Sequence, residues 1–238
     1  MTLSAVLILS AVTGLALFVA TPVVLRRLPE PSTAPGADDP DDPGDPRDPG
    51  DPTDAKIPYA TLDTRGFATI VAGLSVVAVA IPALALPRPV LPCWLVLATL
   101  GLLLAAIDAR TTWLPLPLTR LAWVAMAAAI GVGGAFGGWA QLVRGLGGFL
   151  AAGAVFGAIW LVTRGGIGFG DVRYAPLVGA ATAATSWTLL AWALVIGSLA
   201  GALIGVTRLA VGRRGAFAYA PSILAGAYLA AAVTWLTT

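Results

Sequence analysis

The chain has 238 residues, of which 58% are hydrophobic and only 11% are charged, with a formal net charge of +2. This composition excludes an ordinary soluble domain and indicates an integral membrane protein. Histidine is absent and Cys93 is the single cysteine, which excludes Ser/His/Asp and Cys/His triads, HExxH zinc sites and a disulfide framework. Carboxylates are therefore the main groups left for hydrolytic chemistry.

Apolar runs predict an all-α fold, a polytopic membrane helix bundle with about eight transmembrane helices. The runs lie near residues 3–25, 67–87, 90–107, 116–136, 146–163, 172–184, 187–208 and 219–236. Most approach the ~20 residues that a bilayer requires. The sixth run is short and contains Pro176, so it is either a short helix or part of one long bent helix. Seven spans is the alternative.

Polarity divides the chain into three parts. Residues 1–25 are predicted to be an N-terminal transmembrane helix, residues 26–66 a disordered Asp/Pro-rich cytoplasmic loop, and residues 67–238 the polytopic membrane domain. Residues 29–56 carry almost no apolar side chain and cannot bury enough surface to fold. We interpret them as a solvated spacer, since no EF-hand spacing is present.

The distribution of basic residues predicts the orientation. All but two of the fourteen Lys/Arg residues fall in the odd-numbered loops; the exceptions are Arg88 and Arg144. The positive-inside rule places the odd loops in the cytoplasm and both termini outside. No basic residue precedes the first apolar run, whereas Arg26 and Arg27 follow it, which is the reverse of a cleavable signal peptide. We expect a retained first helix.

After residue 63 the chain contains only two acids, Asp108 and Asp171. Asp108 ends the third apolar run and Asp171 begins the sixth, so both are predicted at the same cytoplasmic membrane edge. An ionised carboxylate at mid-membrane costs roughly 2 to 4 kcal/mol, which makes such acids functional candidates. Taken singly, Asp171 is also explained as a helix N-cap, and Asp108 as a helix-end acid paired with Arg110 or Arg120.

The residues around the two acids predict irregular or closely packed backbone. After Asp108, Pro115 and Pro117 interrupt the helix and leave an irregular segment at the membrane edge. Before Asp171, Gly168 and Gly170 allow backbone angles closed to other residues and the close approach of another segment. Asp171 is then placed to cap the following helix.

A carboxylate pair permits one specific kind of hydrolysis. Two neighbouring carboxyl groups share a proton, so that one acts as general acid and the other as general base for a water attacking a peptide carbonyl. This chemistry needs neither histidine nor metal. Arg110 and Arg173 each follow an aspartate in an Asp-x-Arg pattern. They satisfy the positive-inside bias, or they tune the pKa of the aspartates or hold a substrate carboxylate.

Three stretches carry a further signal: Gly168-Phe169-Gly170-Asp171, "IDARTTWLPLPLT", 107–119, and "FAYAPSILAGAYLA", 217–230. They resemble, in this order, the GxGD motif, the first-aspartate segment and a later motif of the prepilin peptidases, or type IV leader peptidases, which are membrane aspartic proteases of the GxGD class. The resemblance implies a membrane aspartic endopeptidase with Asp108 and Asp171 as catalytic pair. Its substrates would be type IV prepilins or pseudopilins, which lose their leader peptide at the cytoplasmic face.

The resemblance also has departures. Larger family members carry a cytoplasmic domain with paired cysteines after the first helix, and this chain has none, which makes methyl transfer doubtful. We expect no metal and no cofactor, with S-adenosylmethionine only if methyl transfer is present. The implied partners are prepilin or pseudopilin precursors and the lipid bilayer of the cell inner or plasma membrane. No basic patch interleaved with aromatics argues for nucleic acid. The oligomeric state is not predicted.

Two functions of other classes remain open from the sequence. A proton-coupled transporter also uses membrane acids, but these two are predicted on one side rather than along a path. A non-catalytic scaffold of a pilus or secretion machine is the second alternative.

Overall fold

The computed structural model describes residues 1–30, 57–163, 167–212 and 217–237. These residues form nine α-helices. They are α1 Leu3–Arg27, α2 Arg65–Ala85, α3 Leu91–Val96, α4 Leu102–Thr111, α5 Leu116–Gly137, α6 Trp139–Thr163, α7 Phe169–Thr185, α8 Trp187–Ala210 and α9 Ala220–Thr237. Short 3₁₀ turns occupy Tyr59–Leu62 and Arg88–Val90. A π-helical turn, Leu97–Gly101, joins α3 to α4.

The predicted all-α bundle is confirmed. Residues 88–111 form one continuous helical rod, so the described residues contain eight rods where eight spans were predicted. Six of these rods are long and apolar enough to cross a membrane, which is the pattern of a polytopic membrane protein. The remaining two are α7 and α9.

The short sixth run is a separate helix, and the alternative of one long bent helix is wrong. Ser186 has extended backbone, with φ −164° and ψ 154°, and separates α7 from α8. Its N–H donates to the carbonyl of Thr182, and its hydroxyl accepts the N–H of Leu189 at 3.0 Å. One serine thus ends α7 and caps α8. Pro176 lies inside α7 without ending it.

Helix α7 forms the centre of the bundle. Every residue from Tyr174 to Ala184 is buried, although α7 has only 17 residues. Small side chains permit this position, because Gly179 of α7 lies directly against Gly148 and Ala152 of α6. By contrast α1, which packs against α2, is mostly exposed on its other faces. From Tyr174 to Ala184, the helix that carries Asp171 is therefore surrounded by protein.

The edges of the predicted disordered loop, 26–66, are ordered. Helix α1 continues to Arg27, and residues 57–66 include a 3₁₀ turn and the start of α2. The Glu30 carboxylate accepts the N–H groups of Tyr59 and Ala60 at 2.7 and 2.8 Å. These bonds bring the two edges together. The edges are ordered because apolar and capping contacts outweigh the polar composition there. Residues 31–56, the main part of that prediction, lie outside the described residues.

Because Glu30 contacts Tyr59 and Ala60, replacing residues 31–56 with a short linker should leave the fold intact. A six-residue Gly/Ser linker has a root-mean-square span of about 13 Å, enough to join adjacent ends. We expect an unchanged melting temperature in detergent. As a control, a deletion that also removes Tyr59, which is buried, should lower the melting temperature. An equal drop in both variants would show that residues 31–56 themselves stabilise the fold.

Candidate active site

Asp108 is buried at the end of the third rod. It lies in the last turn of α4, its side chain is 4% exposed, and its Oδ2 accepts the N–H of Ala220 at 3.1 Å. Ala220 is the first residue of α9, where helical N–H groups lack partners within the helix. A carboxylate there also interacts favourably with the positive end of the helix dipole. Asp108 therefore holds the start of α9 instead of forming the ion pair considered for it.

Asp171 is buried in the first turn of α7. Its side chain is 6% exposed, and its backbone N–H donates to the Gly168 carbonyl at 3.0 Å. The N-cap is Gly168, and no side chain caps this helix. The prediction that Asp171 caps α7 is therefore wrong, because the helix begins two residues earlier, at Phe169. The carboxylate is left available for other contacts.

The structure brings the two predicted aspartates together. The carboxylates of Asp108 and Asp171 are near enough to interact electrostatically, and Tyr174 interacts with both. Both belong to the same end of the bundle, although the sequence separates them widely. Within the described ranges no three His, Cys, Asp or Glu side chains form a cluster that could hold a metal ion. The arrangement offers a buried carboxyl pair suited to acid–base chemistry.

Gly168 and Gly170 serve close packing. Gly168 has φ −62° and ψ 138°, Gly170 is helical, and the positive-φ glycines of the described residues lie elsewhere. The expected need for unusual backbone angles is therefore wrong. The expected close approach is found: a Cβ on Gly170 would lie 3.0 Å from Leu114 Cδ1, and one on Gly168 would lie 3.3 Å from Asp171 Oδ2. Gly170 thus lets the start of α7 contact the segment that follows Asp108.

That segment is irregular, as predicted, but it is shorter than the two prolines indicate. It spans residues 112–115, and Pro117 lies in the first turn of α5, where a missing N–H costs nothing. Thr112 has φ 58°, and its N–H donates to the Asp108 carbonyl at 2.7 Å. The Thr111 hydroxyl accepts the N–H of Trp113 at 3.2 Å. These bonds fix the backbone beside the Asp108 carboxylate.

Among the described residues, neither predicted arginine forms an ion pair with Asp108 or Asp171. Arg110 is exposed. The guanidinium carbon of Arg173 lies 4.6 Å from the ring centroid of Phe169, whose ring also contacts Trp160 edge-on at 5.2 Å. The groups acting on the Asp171 carboxylate are Asp108 and the Gly168 backbone. Arg173 therefore makes a cation–π contact with Phe169.

Sequence reasoning missed two members of the site. Ala220 contributes a backbone N–H. It lies in the stretch 217–230 that resembles the later family motif and precedes Pro221, a residue typical of a first helical turn, but neither signal indicates a bond to Asp108. Tyr174 sits inside an apolar run, where nothing distinguishes its hydroxyl from a lipid-facing one.

The fold and this site define a polytopic helical membrane protein with a buried carboxyl pair at one end of its bundle. The type IV leader peptidase family model matches residues 95–206, slightly under half of the chain, including both aspartates. This match shows that residues 95–206 are similar to the type IV leader peptidase family, and it supports a prepilin peptidase-type protein. No curated protein and no solved structure matches the chain.

Proposed function

We propose that this protein is an aspartic endopeptidase that removes the leader peptide of type IV prepilins or pseudopilins at the cytoplasmic face of the membrane. The observation that carries the proposal is the buried pairing of Asp108 with Asp171 at one end of the bundle. The family match covers both residues and supports peptide hydrolysis.

The proposed mechanism uses the two carboxyl groups as one unit. Two buried carboxylates cannot both ionise cheaply, so the pair holds a proton between them. The ionised partner takes a proton from water, which attacks the peptide carbonyl carbon, while the protonated partner donates to the carbonyl oxygen. Collapse of the tetrahedral intermediate breaks the C–N bond: the carboxyl that took the water proton donates it to the leaving nitrogen, and the other carboxylate takes back a hydroxyl proton from the intermediate. Water and two carboxyl groups suffice, so the proposed cleavage needs no cofactor.

The bond from Ala220 would hold Asp108 in position during these steps. It engages Oδ2 of Asp108 and leaves Oδ1 for water or substrate. Preorganised partners of this kind reduce the rearrangement that a reaction requires. We therefore assign the start of α9 a supporting role in the site.

The cytoplasmic placement is supported by charge. Arg110, Arg120 and Arg173 belong to the helix ends that carry or adjoin the aspartates, whereas Arg88 and Arg144 belong to the opposite ends of their rods. The positive-inside rule assigns the richer end to the cytoplasm. Both acids lie at this one end, which argues against a proton path through the bundle.

The direct test is co-expression with prepilin and pseudopilin precursors in a host that lacks its own peptidase. Leader removal is scored by gel shift and by the mass of the new N-terminus. Cleavage at one peptide bond before the hydrophobic segment supports the proposal, and the same mass reveals any added methyl group. Absence of processing for every precursor, with folded protein present in the membrane, would overturn it.

Gly170→Val should weaken cleavage more than it weakens the fold. The added methyl groups press on Leu114, whose side chain already approaches the missing Cβ at 3.0 Å, and so displace the segment beside Asp108. Misplaced catalytic groups cost on the order of 10²-fold in rate. Gly131→Val is the matched control, because no atom lies within 4 Å of its added Cβ. Equal cleavage rates for the two variants would contradict the packing role of Gly170.

A further inference from the structure

A buried tyrosine joins the two rods that carry the aspartates. Tyr174 lies in α7, three residues after Asp171, and is 0% exposed. Its hydroxyl donates to the carbonyl oxygen of Gly101 at 3.0 Å. A buried hydroxyl bonded to backbone in another rod fixes the relative position of both rods.

The acceptor of this bond lies at an unusual place in the third rod. Gly101 is the last residue of the π-helical turn, and α4 with Asp108 follows at once. In a π-helical turn the hydrogen-bond ladder shifts by one residue, as the Leu102 N–H donating to the Leu97 carbonyl shows. A Cβ on Gly101 would lie 2.9 Å from Leu97 Cδ1 and 3.7 Å from the Tyr174 hydroxyl. The glycine therefore makes room chiefly for the Leu97 side chain, whereas a Cβ there would be in ordinary contact with the tyrosine hydroxyl.

The charges around Tyr174 connect it with the site. Asp108, Asp171 and Tyr228 are the titratable groups that interact with its hydroxyl. The Tyr228 hydroxyl has no hydrogen-bond partner among the described residues. Tyr174 is thus the one of these two tyrosines whose hydroxyl links the aspartate-bearing rods.

We propose that Tyr174 is a positioning residue, which sets the separation of Asp108 and Asp171 by fixing the π-helical turn against α7. The inference rests on the proposed function for its effect on catalysis. The geometric part concerns the two rods and is measurable without any substrate.

A second bond between the same rods supplies a matched control. The Trp94 Nε1–H donates to the Thr185 hydroxyl at 3.2 Å and joins α3 to the far end of α7. Tyr174→Phe and Thr185→Val each remove one hydroxyl from the same helix pair with little change of volume. The first variant acts beside the aspartates and the second acts far from them.

The activity test compares the two variants on a processed precursor. For Tyr174→Phe we expect kcat to fall by up to about tenfold, KM to stay within twofold of wild type, and the pH profile of kcat to change. For Thr185→Val we expect wild-type kcat and an unaltered profile, even if its melting temperature falls equally. An unchanged kcat and pH profile for Tyr174→Phe would overturn the inference, as would equal kinetic losses in both variants.

A distance measurement separates this inference from the proposed function. Spin labels at Ala109 of α4 and Val162 of α6, both exposed, report the distance between these helices beside the site. Because α6 packs along α7, this distance follows the separation of α4 and α7. Cys93 is fully buried and stays unlabelled. The distance distribution should broaden in Tyr174→Phe and stay sharp in Thr185→Val. If wild type cleaves no precursor, the proposed function fails, and this measurement alone decides the positioning role: broadening supports it and an unchanged distribution overturns it.

Discussion

Asp108→Asn and Asp171→Asn should each abolish leader cleavage while the protein stays folded. An amide cannot take up and release the proton that the mechanism requires, and general acid–base catalysis contributes about 10²- to 10⁴-fold. Because the two carboxyl groups act as one unit, either change should cost at least that factor. Asparagine retains an oxygen acceptor, so the bond from the Ala220 N–H to position 108 persists. Gel shift of the precursor measures cleavage, and the melting temperature in detergent measures folding.

Asp63→Asn is the control for this experiment. Asp63 contacts the largely exposed side chain of Arg26 and is not among the groups that act on either carboxylate, so its loss should leave cleavage unchanged. Precursor processing at the wild-type rate by Asp108→Asn or Asp171→Asn would show that the pair is not the catalytic centre. A scaffold function would then survive both changes, and a transporter would show graded losses of transport.

Gly179→Ala should destabilise the bundle strongly. The added Cβ would overlap the carbonyl oxygen of Gly148 and the side chain of Ala152, so α6 and α7 must move apart. Overpacking a well-packed interior costs about 1 to 3 kcal/mol, and backbone contact on the opposing helix leaves little room to relax. The melting temperature should fall, and cleavage should fall with it because α7 carries Asp171.

Gly157→Ala is the matched control at the same helix pair. There the added Cβ meets only Val172 Cγ1 at 3.8 Å, an ordinary contact. Its stability should equal or exceed that of wild type, because alanine favours helix over glycine. If both variants melted at the same temperature, the close approach of α6 and α7 would not limit stability.

Hydropathy and the small number of charged residues predicted the parts of this protein that depend on local composition. Each apolar run became a helical rod, because a helix satisfies its own backbone hydrogen bonds in lipid. Asp108 and Asp171 stood out as the sole acids beyond residue 63, and the structure places them together. Because charged residues are rare in membrane segments, such residues can be identified from the sequence without knowledge of the packing.

What the sequence did not predict depends on contacts between rods. The Tyr174 bond and the Ala220 bond join segments distant in the chain, and hydrophobic periodicity does not indicate these bonds or the π-helical turn. For Gly168 and Gly170, the close packing was predicted correctly and the unusual backbone angles were not, for a related reason. A glycine signals either backbone freedom or a close neighbour, and only the neighbours distinguish the two.

The bond between Asp108 and Ala220 bears on the size of the active unit. The family model ends at residue 206, whereas the backbone group that holds one catalytic candidate lies fourteen residues beyond it. A fragment cut to the matched boundary would leave a buried carboxylate without its donor, and such an unpaired acceptor is costly. The minimal peptidase therefore includes the C-terminal helix, and two separately expressed halves should regain cleavage only when α9 rejoins the rest.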